Sequence, residues 1–292
     1  MVNHSFQSSP VSSVNQLLPV FTTIRSKGRL LDLSKPVVMG ILNVSDKSFY
    51  KTVGDDTQEL LSTAAKMIED GATILDIGGT STRPGEKISN ATDEAGRVIP
   101  AIKAIKSQFP DVWISIDTYH SSVAQKAIEA GADIVNDVSA GNIDADMITT
   151  VGTLKVPYIA MHMQGTPETM QLSPTYDNVV VEVLDFMKNK LEECRNAGIV
   201  DVIFDPGFGF GKTVEHNFEL LRNLDVFRMT QCPILAGLSR KSMICKALNI
   251  KPTDALNGTT VLNTLALQKG ASILRVHDVK EAYEAIRLLG WF

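Results

Sequence analysis

From Pro36 onward the chain alternates short apolar runs, rich in Val and Ile, with longer segments of helical period. Four transitions share one form, in which a helical stretch meets a Gly, then an apolar run, then a polar residue. They are EDGATILD (Glu69 to Asp76), EAGADIVN (Glu129 to Asn136), NAGIVDVIFD (Asn196 to Asp205) and QKGASILR (Gln268 to Arg275). Gly at that place supplies the left-handed residue that ends a helix and turns the chain back into a strand. Filling the gaps predicts eight strands: Val37–Leu42, Ile74–Ile77, Val112–Ile116, Ile134–Val135, Tyr158–Met161, Val202–Phe204, Ile234–Ala236 and Ile273–Val276. Continuous apolar runs this short, separated by helix-length segments, belong to a parallel sheet covered on its faces. Eight such units in about 255 residues match an α/β chain folded as a (β/α)8 barrel, the TIM-barrel architecture. A doubly wound open sheet has the same alternation, and strand order is not readable from the pattern. Ahead of the barrel, Thr22 to Leu33 predicts a short hairpin around Lys27-Gly28. The Ser/Asn/Gln-rich residues 1–17 predict a mobile tail, leaving residues 18–292 as a single domain.

In a barrel, sites gather where strands end and the βα loops begin. The predicted strand ends are polar almost throughout: Asn43, Asp76, Asp117, Asn136, His162, Asp205, Ser239 with Lys241, and Arg275 with His277. Asp117, Asn136 and Asp205 would converge in one cavity, offering acceptors and a donor suited to a flat, nitrogen-rich ring. The bland alternatives are that Asp117 caps a helix starting near Ser121 and that Asp205 forms a turn before Pro206. Arg275 and His277, two apart, would project on the same side and clamp a diphosphate. A salt bridge from Arg275 to a core acid, with Ser239 as an ordinary N-cap, is the other reading. Ser242 and its neighbours open a helix, where free backbone N–H groups hold anions.

The segment Asp205-Pro206-Gly207-Phe208-Gly209-Phe210-Gly211-Lys212-Thr213 resembles a phosphate loop but fails on spacing, because Pro206 stands where a Walker pattern needs Gly. A strand-to-helix loop that lays Phe208 or Phe210 against an aromatic substrate fits better. The five histidines include no HxxxH pair, and no Cys lies at ligand spacing, so zinc is disfavoured. Mg2+ takes few protein oxygens and fills its shell with substrate phosphate and water, and Asn43 could be a single ligand of that kind. With 28 Lys and Arg against 33 Asp and Glu, the net charge is −5, which disfavours nucleic acid as a partner. No run approaches the roughly 20 apolar residues of a membrane span, so no membrane partner is expected. Three cysteines, Cys194, Cys232 and Cys245, without a CxxC pair fit free thiols in a cytoplasmic protein.

Taken together, the motifs resemble those of the dihydropteroate synthases, the pterin-binding family of the folate pathway. They run in the family's order: Met39-Gly-Ile-Leu-Asn43-Val, Asp76-Ile-Gly-Gly-Thr-Ser-Thr-Arg83-Pro-Gly, Ser115-Ile-Asp117-Thr, Val135-Asn136-Asp137-Val and Met161-His162-Met163. Asp205-Pro-Gly-Phe-Gly-Phe210-Gly-Lys-Thr, Ser239-Arg-Lys241-Ser242 and Arg275-Val-His277-Asp278 complete the set. The resemblance implies a barrel, usually a homodimer. It implies joining of 4-aminobenzoate to 6-hydroxymethyl-7,8-dihydropterin diphosphate with release of pyrophosphate. Carried over by position, Asp117, Asn136, Asp205 and Lys241 would hold the pterin, with Met161 against its face. Ser239 would sit among the substrate contacts. Asn43 would bind Mg2+ that neutralises the leaving diphosphate, and Arg275 and His277 would grip its oxygens. Thr82, Arg83, Pro84, Phe210 and Ser242 would form the aminobenzoate site.

One stretch departs from the family. After Asn43-Val44 the run is Ser45-Asp46-Lys47-Ser48-Phe49-Tyr50-Lys51, with Lys47 and Lys51 where the family usually carries acids. Such a change points to an altered first loop. A pterin-binding methyltransferase and a catalytically impaired pterin-binding paralogue are the competing readings. The basic residues near Arg83, Lys241 and Arg275 argue against the first.

Overall fold

A computed structural model describes residues 20–44, 55–79, 90–166, 168–170 and 172–291. The expected tail at residues 1–17 lies outside them. Strands β1 (Thr23–Ser26) and β2 (Arg29–Asp32) pair antiparallel and turn at Lys27 and Gly28, both at positive φ. The eight strands predicted from the apolar runs then follow: β3 (Val37–Asn43), β4 (Ala72–Gly78), β5 (Trp113–Asp117), β6 (Ile134–Asp137), β7 (Tyr158–Met161), β8 (Val202–Asp205), β9 (Leu235–Ala236) and β10 (Ile273–Val276). The helices between and after them are α1 (Asp55–Glu69), α2 (Ala91–Gln108), α3 (Ser121–Ala130), α4 (Met147–Leu154), α5 (Val179–Asn196), α6 (Val214–Arg222), α7 (Ser242–Leu248), α8 (Leu256–Gln268) and α9 (Val279–Leu289). The helix-ending glycines read from the sequence, Gly71, Gly131, Gly198 and Gly270, have φ of 107°, 124°, 85° and 94°.

Strand order decides between a barrel and an open sheet. β3 to β8 pair in chain order, β10 pairs with β3, and β9 pairs with β10, all parallel. A doubly wound sheet would reverse direction at a switch point. Here the ring instead comes round on itself, through a parallel bridge between Phe204 and Ile234 and a Phe204 N–H bond of 2.8 Å to the Pro233 carbonyl. β9 is the shortest strand, because Pro233 before it has no N–H to donate and Gly237 after it has no side chain to pack.

Alternation along the strands separates two cores. Outward residues such as Leu75, Ile116, Val135, Tyr158, Phe204 and Leu274 pack under the helices. Inward, each of the eight strands contributes one apolar side chain: Met39, Ile74, Trp113, Ile134, Ile159, Ile203, Leu235 and Ile273. Ile24, Leu31 and Leu33 join this cluster, so the hairpin plugs the N-terminal end of the barrel. Its seat is polar at the edges. Lys27 Nζ donates to the carbonyls of Ile128 (2.6 Å) and Ala132 (2.8 Å), and Arg29 lies 4.8 Å over the Trp113 ring. Two residues further along the same strands the inward side chains change character, to Asp76, Ser115, Asn136, Met161, Asp205 and Arg275.

Candidate active site

That second layer forms the bottom of a cavity at the C-terminal ends of the strands. Arg275 on β10 turns inward, its Nε 2.6 Å from Asp76 Oδ2 and its Nη2 2.6 Å from Asp117 Oδ2. Asn136 Nδ2 donates to Asp76 Oδ2 at 3.1 Å. Asp205 Oδ1 accepts from the Gly207 N–H at 2.7 Å, while its Oδ2 faces the bare Cα of Gly237. Asp76, Asp117, Asn136 and Asp205 are all buried. Residues 199 positions apart in sequence, Asp76 and Arg275, therefore share a hydrogen bond.

This bottom is electrostatically uncomfortable. Burial raises the Asp117 carboxyl above the ordinary carboxylate range, against the opposing pull of Arg275 and with Asp76 adding repulsion. Burial likewise raises Asp205, opposed by the Gly207 hydrogen bond and by Lys241. Asp117 Oδ1 and Ser115 Oγ are buried without a hydrogen-bond partner among the described residues. An acceptor left dry and unpaired costs about 1–3 kcal/mol, which a ligand donor would recover.

Lys241 leans over this layer. Burial pushes its ammonium down to about 8, with Asp205 pulling the other way. Its Nζ stands 4.2 Å from the centre of the Phe210 ring. Met161, Tyr119 and Val138 form a small buried apolar cluster at the mouth, joined by Ile143, Met163 and Phe210. One side of the cavity is thus a flat apolar wall and the other a set of acceptors and cations.

The rim joins two loops. Ser239 Oγ lies 3.0 Å from His277 Nδ1 and accepts the His277 backbone N–H at 3.2 Å. Arg240 forks onto Asp278, Nε to Oδ2 at 2.9 Å and Nη2 to Oδ1 at 2.8 Å. Asn43, at the end of β3, is exposed, and Ser242 is exposed at the first turn of α7. Thr82, Arg83, Pro84, Lys47 and Lys51 lie outside the described residues.

Several local expectations are refined. Asp117 does not cap α3, whose N-cap is His120. Asp205 both forms the turn and faces the cavity. Ser239 is not the N-cap of α7, since Lys241 holds that position and the Ser239 hydroxyl is committed to His277. Arg275 and His277 do not stand as one free clamp. The guanidinium is drawn to the buried carboxylates, the salt bridge that the bland reading anticipated, while His277 stays exposed at the lip. Asp76, read from the sequence among the polar strand ends without a role of its own, lies inside β4. β4 runs two residues beyond it, and an acid inside Ala-Thr-Ile-Leu-Asp-Ile-Gly was the available signal. Lys212 has no role in the strand-to-helix loop read from the sequence. Thr213 is in fact the N-cap of α6, in a capping box with His216, and Lys212 is buried.

Fold and site together define a (β/α)8 barrel whose strand ends gather buried acids, an amide and an arginine in one cavity. A family model described as pterin binding enzyme matches residues 39–277. The dihydropteroate synthase of Haemophilus influenzae is 43% identical over 268 residues, covering 90% of this chain and 96% of its own. That of Escherichia coli is 43% identical over 270 residues, covering 90% and 94%. The Yersinia pestis dihydropteroate synthase in complex with a sulfonamide drug superposes with a TM-score of 0.86 at 39% identity, over 92% of this chain and 98% of that one. The Xanthomonas albilineans enzyme with 4-aminobenzoic acid gives 0.85 at 36% identity, over 92% and 97%. The chain belongs to the pterin-binding enzyme family, among its dihydropteroate synthases.

Proposed function

We propose that this chain condenses 6-hydroxymethyl-7,8-dihydropterin diphosphate with 4-aminobenzoate to give 7,8-dihydropteroate and pyrophosphate, using the cavity at the strand ends. The observation that carries the residue assignment is Asp117 Oδ1, buried and unpaired among the described residues, with Asn136 opposite it on the neighbouring strand. The ring N–H and amino groups of a pterin are the donors these carboxyls lack, and Lys241 donates to the ring's acceptors. Met161 with Tyr119 and Val138 packs on the ring face.

The reaction breaks the bond from the pterin CH2 carbon to oxygen, the electron pair leaving with the diphosphate. The aniline nitrogen then forms the new C–N bond and gives up a proton. The electron-rich dihydropterin spreads the developing positive charge, so no protein nucleophile is needed. Arg275, shared between Asp76 and Asp117, supplies positive charge toward the departing oxygens, and His277 on the rim supplies a ring nitrogen. Phe210 and Ser242 would hold the aminobenzoate, Ser242 its carboxylate; the family resemblance adds Thr82, Arg83 and Pro84, which lie outside the described residues.

Mg2+ fits the donor set. Asn43 Oδ1 is a hard oxygen donor beside Gly78, in a gap that a Cβ on Gly78 would enter, lying 3.4 Å from Asn43 Oδ1 and 3.8 Å from Asp117 Oδ2. No group of three or more His, Cys, Asp or Glu among the described residues could hold a metal alone, so diphosphate and water would complete the shell. When bound, the ion would neutralise the leaving diphosphate. The outer face of α8 and α9 exposes Val261, Leu265 and Leu288, with Trp291 just beyond, and is proposed as a homodimer contact that light scattering would test. Free Cys194, Cys232 and Cys245 support a cytoplasmic location, and no described helix is long and apolar enough to cross a membrane.

Incubating the purified protein with both substrates and Mg2+ should release pyrophosphate only when all three are present. Release no greater than that of a heat-killed control would overturn the reading.

A further inference from the structure

Lys212 is a buried lysine that the reaction does not use. Its Nζ lies 2.9 Å from His162 Nδ1, 2.9 Å from the Gly207 carbonyl, 3.0 Å from the Phe210 carbonyl and 3.3 Å from the His162 carbonyl. Burial and the neighbouring cation hold His162 neutral, its pKa lowered to about 2, so its Nδ1 is free to accept. The three N–H groups of an ammonium are the complement of such a ring of acceptors.

Backbone geometry explains why the carbonyls converge. Gly207, Gly209 and Gly211 have φ of 70°, 83° and 62°, so the segment curls with alternate residues in the left-handed region. A Cβ on Gly207 would run into the His162 carbonyl, and one on Gly211 into the Gln164 carbonyl. Only glycine lets this loop, which follows β8, lie against the end of β7. The curl is pinned elsewhere as well: Gly209 N–H donates to Asn217 Oδ1 at 2.6 Å, and Tyr176 Oη donates to the Gly211 carbonyl at 2.7 Å. At its crest stands Phe210, whose N–H bonds the Gly207 carbonyl at 3.1 Å and whose ring meets Lys241. The same curl presents the Gly207 N–H to Asp205.

We propose that Lys212 is a positioning residue for the aromatic co-substrate: its ammonium ties the end of β7 to the Gly207–Gly211 curl and thereby fixes the Phe210 ring as the wall against which 4-aminobenzoate binds. This rests on the placement of 4-aminobenzoate beside Phe210. Lys212 touches no substrate and acts through Phe210. Because the Asp117 carboxyl is placed by β5, and the curl reaches the pterin side only through the Gly207 N–H on Asp205, the pterin side should be less sensitive to its loss.

The test compares wild type, Lys212→Met, Phe210→Ala and the double variant, by steady-state kinetics and by titration of the pterin alone. Lys212→Met should raise the KM for 4-aminobenzoate about tenfold, while kcat and the dissociation constant of the pterin each change less than about threefold. In the Phe210→Ala background the further change from Lys212→Met should be under about twofold, since the wall it supports is gone. Parallel weakening of both substrates, or additive effects of the two substitutions, overturns the proposal. If Lys212→Met does not fold, His162→Leu removes one acceptor and leaves the ammonium in place. It should raise the same KM by about twofold to fivefold, and an unchanged KM overturns the proposal. Wild type that releases no pyrophosphate would sink the functional reading instead, whereas an active wild type with indifferent variants would sink only this role.

Discussion

The lower and upper inward layers of the barrel are built on the same eight strands, one side-chain period apart, yet they solve opposite problems. The lower layer is eight apolar side chains capped by Ile24, Leu31 and Leu33, with few polar atoms to satisfy. The upper layer buries Asp76, Asp117, Asn136 and Asp205 around one arginine and leaves Asp117 Oδ1 and Ser115 Oγ without partners. The first stabilises the fold. The second holds groups away from water in a state that a ligand with the matching donors relieves, so stability and binding are separated by only two to four residues along the strands.

Substitutions should therefore sort by layer. Ile203→Ala, in the fully buried lower layer, should cost about 3–5 kcal/mol of stability in denaturant melts while leaving both KM values within about twofold. A comparable loss of pterin affinity would break the separation. Asp117→Asn should do the reverse. It should lower kcat/KM for the pterin diphosphate about 100-fold, roughly 2.7 kcal/mol, with stability changed by less than about 1 kcal/mol, because a carboxyl whose pKa burial has raised gives up little when its charge is removed.

Proton uptake sharpens the same contrast. Lys241 sits at about 8, charged below that pH and neutral above it. The kcat/KM for the pterin diphosphate should fall on the alkaline side of about pH 8, approaching tenfold per pH unit, and Lys241→Arg should lack that limb. Lys212 acts on stability. Its folded pKa is lowered from 10.5 to about 7 by burial, so between those values the unfolded chain binds more protons. The contribution of this group to stability should thus increase as pH rises from about 7 toward 10, and Lys212→Met should flatten that slope in denaturant midpoints. The smallest effect is expected at the bottom of the barrel, where Arg29→Met removes the stack on Trp113 and should cost about 0.5–1 kcal/mol without kinetic consequence.

Much of this was legible in the sequence because it depends on local order. A helix-stopping Gly before each of four apolar runs, and a period of two within them, set where strands begin, which residues point inward and where the polar ends fall. Asp117, Asn136 and Asp205 follow from that alternation. Asp76 was harder to assign because the extent of β4 depends on its pairing with β3 and β5, not on its own residues. The turn of Arg275 onto Asp76 and Asp117 could be raised from the sequence only as an alternative to a clamp, because the pull of two buried carboxylates, 199 and 158 positions away, has no local trace. Lys212 lay in a motif whose spacing excluded one function and suggested no other.

The sequence by itself determined the alternating architecture, the polar strand ends and the family motifs, since propensity and periodicity act over a few residues. Closure of the ring between β8 and β9, the turning of Arg275 onto Asp76 and Asp117, and the gathering of three carbonyls on Lys212 were decided by tertiary structure. The first pairs backbone groups of separate strands, and the other two bury charge, where low polarity makes a partner obligatory and only the folded geometry chooses which one.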